Sequence, residues 1–137
     1  MEHSNPRRVD VAYVLITDPE ARRILMVLND HGSWSLPGGM RHPGETLWEA
    51  ARREAREETG LDVAVGPVVH VSELIGEEHV LFVTFRADIV GGVMGEDLLS
   101  DVQAVAWKDF DEAQRLMPYY EGLRNLLTAG VPYHSTR

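Results

Sequence analysis

Residues 36–61 read LPGGMRHPGETLWEAARREAREETGL, a Pro-Gly-Gly turn followed by a charged helix, and the rest of the chain is organised about this stretch. The helix is expected from Glu45 to Thr59, with Gly60 as its C-cap. At ~100° per residue, Glu57 lies about 60° to one side of Glu54 and Glu58 about 40° to the other, so the three share an arc of roughly 100°. Leu47, Ala50 and Ala51 occupy the same face, which can pack on a sheet in its first half and turn acidic in its second. Trp48, to one side, is read as packing. Ionised carboxylates crowded at the negative end of a helix dipole repel one another and the dipole. A hard divalent cation such as Mg²⁺ would relieve that repulsion. The alternative is a solvated face on which Arg52, Arg53 and Arg56 make ordinary i,i+3 and i,i+4 pairs.

The spacing around the helix carries more information. Gly39, five residues, Glu45, seven residues and then Arg53-Glu54-Ala55-Arg56-Glu57-Glu58-Thr59-Gly60-Leu61 closely resemble the signature of the Nudix hydrolases, which here spans residues 39–61. Two positions depart from that pattern. Ala55 stands where relatives carry a bulky aliphatic residue, which is expected to loosen the packing of the helix, and His42 stands where they often carry an acid.

The resemblance implies a fold, an activity and a set of roles. The fold is an α/β/α sandwich with a mixed β-sheet, in the α/β class. The activity is hydrolysis of a diphosphate bond in a nucleoside diphosphate linked to another moiety, dependent on Mg²⁺ or Mn²⁺. By position, Glu54, Glu57 and Glu58 would be metal ligands, together with the main-chain carbonyl of Gly38. Arg53 would orient Glu57, Glu45 would tie the loop to the helix, and Gly39 and Gly60 would shape the box. For the general base the order is Glu57, Asp101, Glu96, the latter two on a later loop. Two other classes stay open: a non-catalytic Nudix-fold nucleotide-binding sensor, and a Nudix-fold isomerase of isoprenoid diphosphates. The isomerase chemistry employs a cysteine, and this chain has none. A homodimer is a family expectation only.

Composition sets the outer bounds. A chain of 137 residues suggests one domain over 1–137,. Without cysteine, disulfides, thiolate metal sites and cysteine nucleophiles are excluded,. A polar start, MEHSNPRR, and the lack of a long apolar run argue against a membrane span and suggest a cytoplasmic protein,. The net charge of -9 argues against a broad nucleic-acid surface, so a phosphate-bearing small molecule would be received locally,.

Outside the box, hydrophobic periodicity assigns the elements. Residues 8–17 alternate as a strand with Val9, Val11, Tyr13 and Leu15 on one face, and 23–28 form a partner strand that completes a hairpin. Trp34 and Leu36 suggest a short strand. Residues 62–75 read as an extended segment broken at Gly66-Pro67, and 79–90 as the most convincing strand, central in its first half. A mobile loop at 91–100 precedes a strand at 102–107. Asp109 caps a helix to about Met117, a last helix covers 120–128, and the tail beyond is expected to fray. His70 and His79 are read as packing. Tyr13, Trp34 and Phe85 are candidates to stack on a base, with core packing as the alternative for each.

Overall fold

The computed structural model describes residues 6–136; the first five residues of the polar start and the last residue of the tail lie outside the described residues. Along the chain come β1 (Arg7–Ile16), β2 (Arg23–Leu28), β3 (Trp34–Ser35) and β4 (Gly38–Met40), then α1 (Leu47–Thr59). β5 (Leu61–Ile75), β6 (Glu78–Gly92), β7 (Ala104–Asp109), α2 (Phe110–Leu116) and a short 3-10 helix (Leu123–Leu127) follow.

β1 is apolar on both faces, which suits it to the interior of a covered sheet. Ala12, Val14 and Ile16 enter a cluster with the α1 residues Ala50, Ala51 and Ala55. Leu15, with Tyr13 beside it, enters a second cluster with Phe110 and Ala113 of α2 and Leu123 and Leu126 of the 3-10 helix. β1 runs parallel to β6 and antiparallel to β4, and β5 completes a mixed sheet of order β4-β1-β6-β5. The α/β/α arrangement expected from the sequence is present, with one helix on each face.

Several local expectations are corrected. β1 and β2 do not form a hairpin: they meet through one bridge, Thr17 to Ile24, and β2 instead joins β3 and β7 in a separate antiparallel sheet. The cause lies in the turn. Asp18 Oδ1 accepts from the backbone of Arg22 (2.8 Å) and Arg23 (3.2 Å), and Ala21 takes a left-handed φ of 54°. Gly38 and Gly39 form a strand rather than a tight turn, paired with Tyr13 and Ala12. The break expected at Gly66-Pro67 is a shift of register within one continuous β5.

The C-terminal region departs most. No α-helix covers 120–128, because Gly122 turns left-handed and Gln114 intercepts the backbone, donating to Tyr120 O (2.6 Å) and accepting from Leu123 N (2.7 Å). Nor does the tail fray through residue 133. Val131 and Val68 exchange two backbone hydrogen bonds, and Tyr133 packs edge-on against Phe85 at 5.1 Å. Phe85 is fully buried there, which removes it as a stacking platform.

The buried face of α1 consists of Ala50, Ala51, Ala55 and Thr59, so small side chains let the helix lie against β1 and β5. Ala55 is 0% exposed and lies inside the core cluster between α1 and the mixed sheet. Ala55→Leu is therefore expected to cost about 1–3 kcal/mol through overpacking, since the helix propensities of the two residues are similar. Urea denaturation measures this; an unchanged midpoint would mean free space above residue 55.

Candidate active site

α1 starts at Leu47, two residues later than the sequence suggested, because Thr46 caps it. The Thr46 hydroxyl accepts from Glu49 N (3.1 Å), while Glu49 Oε1 accepts from Thr46 N (2.8 Å). The Thr-x-x-Glu spacing is the sequence signature of such a capping box,. At the other end Gly60, at φ 81°, closes the helix. Between the caps, the turn from Arg53 to Glu58 is held against the segment that precedes it.

Arg53 is the hub of that contact. Its Nε donates to Glu45 Oε2 (2.7 Å) and its Nη2 to Glu45 Oε1 (3.0 Å) and Met40 O (2.9 Å). Nη1 donates to Glu54 Oε1 (2.9 Å) and to both oxygens of Glu57 (3.1 and 3.2 Å). Glu45 also accepts from His42 N at 2.8 Å, so the loop from Met40 to Glu45 is stitched to the helix through one guanidinium. The Arg53 bond holds the Glu45 carboxyl below its usual range, and Glu45 foremost holds Arg53 more firmly charged.

Glu58 is placed differently. Its Oε1 accepts from Gly38 N (2.9 Å), and no guanidinium reaches it among the described residues. Burial, then repulsion from Glu54 and Glu57, pushes its carboxyl up to about 7 against the Gly38 hydrogen bond and the more distant charge of Arg53. Burial also raises the Glu54 carboxyl, against the pull of Arg53. Three carboxylates thus share one guanidinium, with Glu58 close by, so this patch holds more acidic groups than basic ones.

The β4 backbone presses directly on this patch. A Cβ on Gly39 would stand 2.6 Å from Glu54 Oε1, and one on Gly38 would collide with the Ala12 carbonyl and the Tyr13 ring. Among the described residues no three acidic or histidine side chains converge as they stand closely enough to hold an ion. Arg53 draws Glu54 and Glu57 towards itself, and Glu58 is turned onto Gly38. The donor set nevertheless fits a hard divalent cation in kind and in charge: oxygen ligands only, on one face of one helix, with negative charge in excess.

The later loop is brought to the same helix end by its backbone. Leu99 N donates to Glu57 O (2.9 Å) and Gly95 N to Thr59 O (2.8 Å). Glu96 and Asp101 ride on this segment with exposed side chains that make no hydrogen bond among the described residues. On the other side, Gly38 also borders a cleft of about 680 Å³ whose walls include Tyr13, Trp34 and Tyr119. Tyr13 and Trp34 were singled out from sequence. Tyr119 was not, since nothing local distinguishes it from a core tyrosine.

Comparison with known proteins decides the family: residues 6–129 match the model of the NUDIX domain. The chain belongs to the Nudix hydrolase family. It is 34% identical over 118 residues to a MutT-like protein of Streptomyces ambofaciens, covering 86% of this chain and 74% of that one. It is 40% identical over 78 residues to the 8-oxo-dGDP phosphatase of Homo sapiens, covering 56% of this chain but only 24% of the human protein. A NUDIX hydrolase from Nitrosomonas europaea superposes with a TM-score of 0.75 over 93% of each chain at 20% identity, a likeness of fold. No helix among the described residues is long and apolar enough to cross a membrane.

The hub makes a specific demand on residue 53. Lysine keeps the charge but cannot present a fork that serves Glu45, Glu54, Glu57 and Met40 O together. Arg53→Lys is expected to lower stability by about 1–3 kcal/mol, through the polar groups it leaves unpaired. Thermal or urea unfolding measures the loss, and a variant as stable as the parent would deny Arg53 its role as the tie between loop and helix.

Proposed function

We propose that this Nudix family member hydrolyses a diphosphate bond in a nucleoside diphosphate linked to another group, in a reaction dependent on Mg²⁺ or Mn²⁺. The observation that carries this reading is the set of three carboxylates gathered on the guanidinium of Arg53, with a fourth, Glu58, beside them and hydrogen-bonded among the described residues only to Gly38 N–H. Such an imbalance is poor design for a purely structural patch.

Glu54, Glu57 and Glu58 would hold the cation, with the carbonyl of Gly38 beside them. When bound, a divalent cation there supplies charge neutralisation for the diphosphate and a lowered pKa for the attacking water. The chain's own residues do the rest. Arg53, at 3.1 Å from Glu57, fixes the rotamer of that carboxylate. Glu57 is the first choice of base to take a proton from water, followed by Asp101 and then Glu96 on the loop anchored at Glu57 O. The water oxygen ends on phosphorus, giving a nucleoside monophosphate and a second phosphorylated product. The cleft beginning at Gly38 is suited to the organic part of the substrate. An oxidised guanine nucleotide, the class named for the human relative, is one substrate within this reading.

Glu57→Gln is expected to reduce kcat by at least ~10²-fold, the scale of a lost general base, with unchanged circular dichroism. Removal of divalent ions with a chelator is expected to stop turnover of the native protein, and Mg²⁺ or Mn²⁺ to restore it. A panel of nucleoside triphosphates, nucleotide sugars and dinucleoside polyphosphates reads both effects. Full activity in the variant would remove Glu57 as base, and hydrolysis indifferent to chelation would remove the metal roles.

A further inference from the structure

The cleft bordering Gly38 has its own chemistry, separate from that of the box glutamates. Tyr13 and Phe82 stack beneath it with ring centroids 6.0 Å apart and planes inclined by 12°. Trp34 and Tyr119 add two further aromatic walls. Among the described residues no lysine or arginine lines it, and its one acidic lining residue, Glu73, has its carboxylate bound to His79 at 2.6 Å. A phosphate or sugar carboxylate entering here would lose water and find no lysine or arginine in the lining, and Lys108, 4.2 Å from the Trp34 ring, is paired with Glu112,. A flat, uncharged ring would instead gain aromatic faces.

One polar side chain bordering the cleft is oriented by its neighbours. Asn29 Nδ2 donates to the Ser33 carbonyl (2.9 Å) and to the Ser35 hydroxyl (3.0 Å). A backbone carbonyl can only accept, so the amide cannot be turned over without losing that bond. Asn29 Oδ1 is then an acceptor with no hydrogen-bond partner among the described residues. The Asn29 backbone is anchored as well, donating to Ser33 O at 2.8 Å. A pre-oriented acceptor beside aromatic walls is the combination that reads the edge of a base.

We propose that Asn29 is a specificity-determining residue, presenting Oδ1 to an exocyclic amino group of a purine base held in this cleft. The inference rests on the reading of the site as a nucleotide hydrolase. It narrows the substrate to purine nucleoside phosphates with an amino-bearing base, and away from molecules that place a second charged group in the cleft. Hypoxanthine, which lacks an exocyclic amine, takes the water from Oδ1 without offering it that donor, and a lost partner of this kind is what lets a site reject an analogue.

Inosine triphosphate provides the matched comparison, since it differs from GTP by the 2-amino group and from ATP by the replacement of the 6-amino group. Steady-state kcat/KM is measured for all three with Mg²⁺ in the native protein and in Asn29→Ala. The native protein is expected to prefer GTP or ATP over ITP by at least ~5-fold, and Asn29→Ala to bring that ratio to within about twofold. If Asn29→Ala does not fold, Ser35→Ala, which removes one anchor of Nδ2, is expected to narrow the same ratio. No preference in the native protein, or a preference that survives both substitutions, overturns the proposal. Turnover of a nucleotide sugar or dinucleoside polyphosphate, with none of the three triphosphates, overturns it while leaving the hydrolase standing. Failure to hydrolyse any of them overturns both.

Discussion

The sharing of one guanidinium among several carboxylates is the constraint on which the rest of this molecule depends. Arg53 reaches forward along its own helix to Glu54 and Glu57 and back across the loop to Glu45 and Met40 O. Neither set of bonds is strong alone, because partly exposed ion pairs contribute little individually. Their value lies in geometry. A planar fork engaged on all sides allows the loop from Met40 to Glu45 few positions relative to α1, and that fixes where β4 meets the acidic end of the helix.

Glu58 shows what this geometry leaves open. It lies one residue from Glu57 yet among the described residues it receives no guanidinium, only the N–H of Gly38, a residue that cannot carry a side chain because β1 is packed against it. Burial and two neighbouring carboxylates push its proton affinity up. The same strand therefore does three things: Gly38 pairs with β1, holds Glu58 through its N–H, and borders the aromatic cleft. The box glutamates and the aromatic cleft thus meet at one glycine.

The family was more legible in the sequence than the topology. The box could be read because its spacing is specific, and because clustered glutamates at a helix C-terminus contradict helix design. β1 and β6 were legible from alternation. The separation of β2 from β1 was not, since Ile24, Leu25 and Met26 are all buried and an apolar run has no face to reveal its sheet. Equally hidden were contacts between distant segments, such as Val131 with Val68, or Gln114 replacing the backbone partners of a helix that never forms. Tyr13 and Trp34 could be singled out as aromatic, but only packing separates them from Phe85, which the core takes entirely.

If the carboxylate excess exists to hold a cation, the direct measurement is Mn²⁺ binding followed by electron paramagnetic resonance, with native protein, Glu54→Gln and Glu58→Gln compared at equal concentration. The account expects saturable binding in the native protein, weakened at least ~10-fold in each variant, as when a charged ligand is lost from a site of few ligands. Binding of equal strength in all three, or none in the native protein, would contradict it.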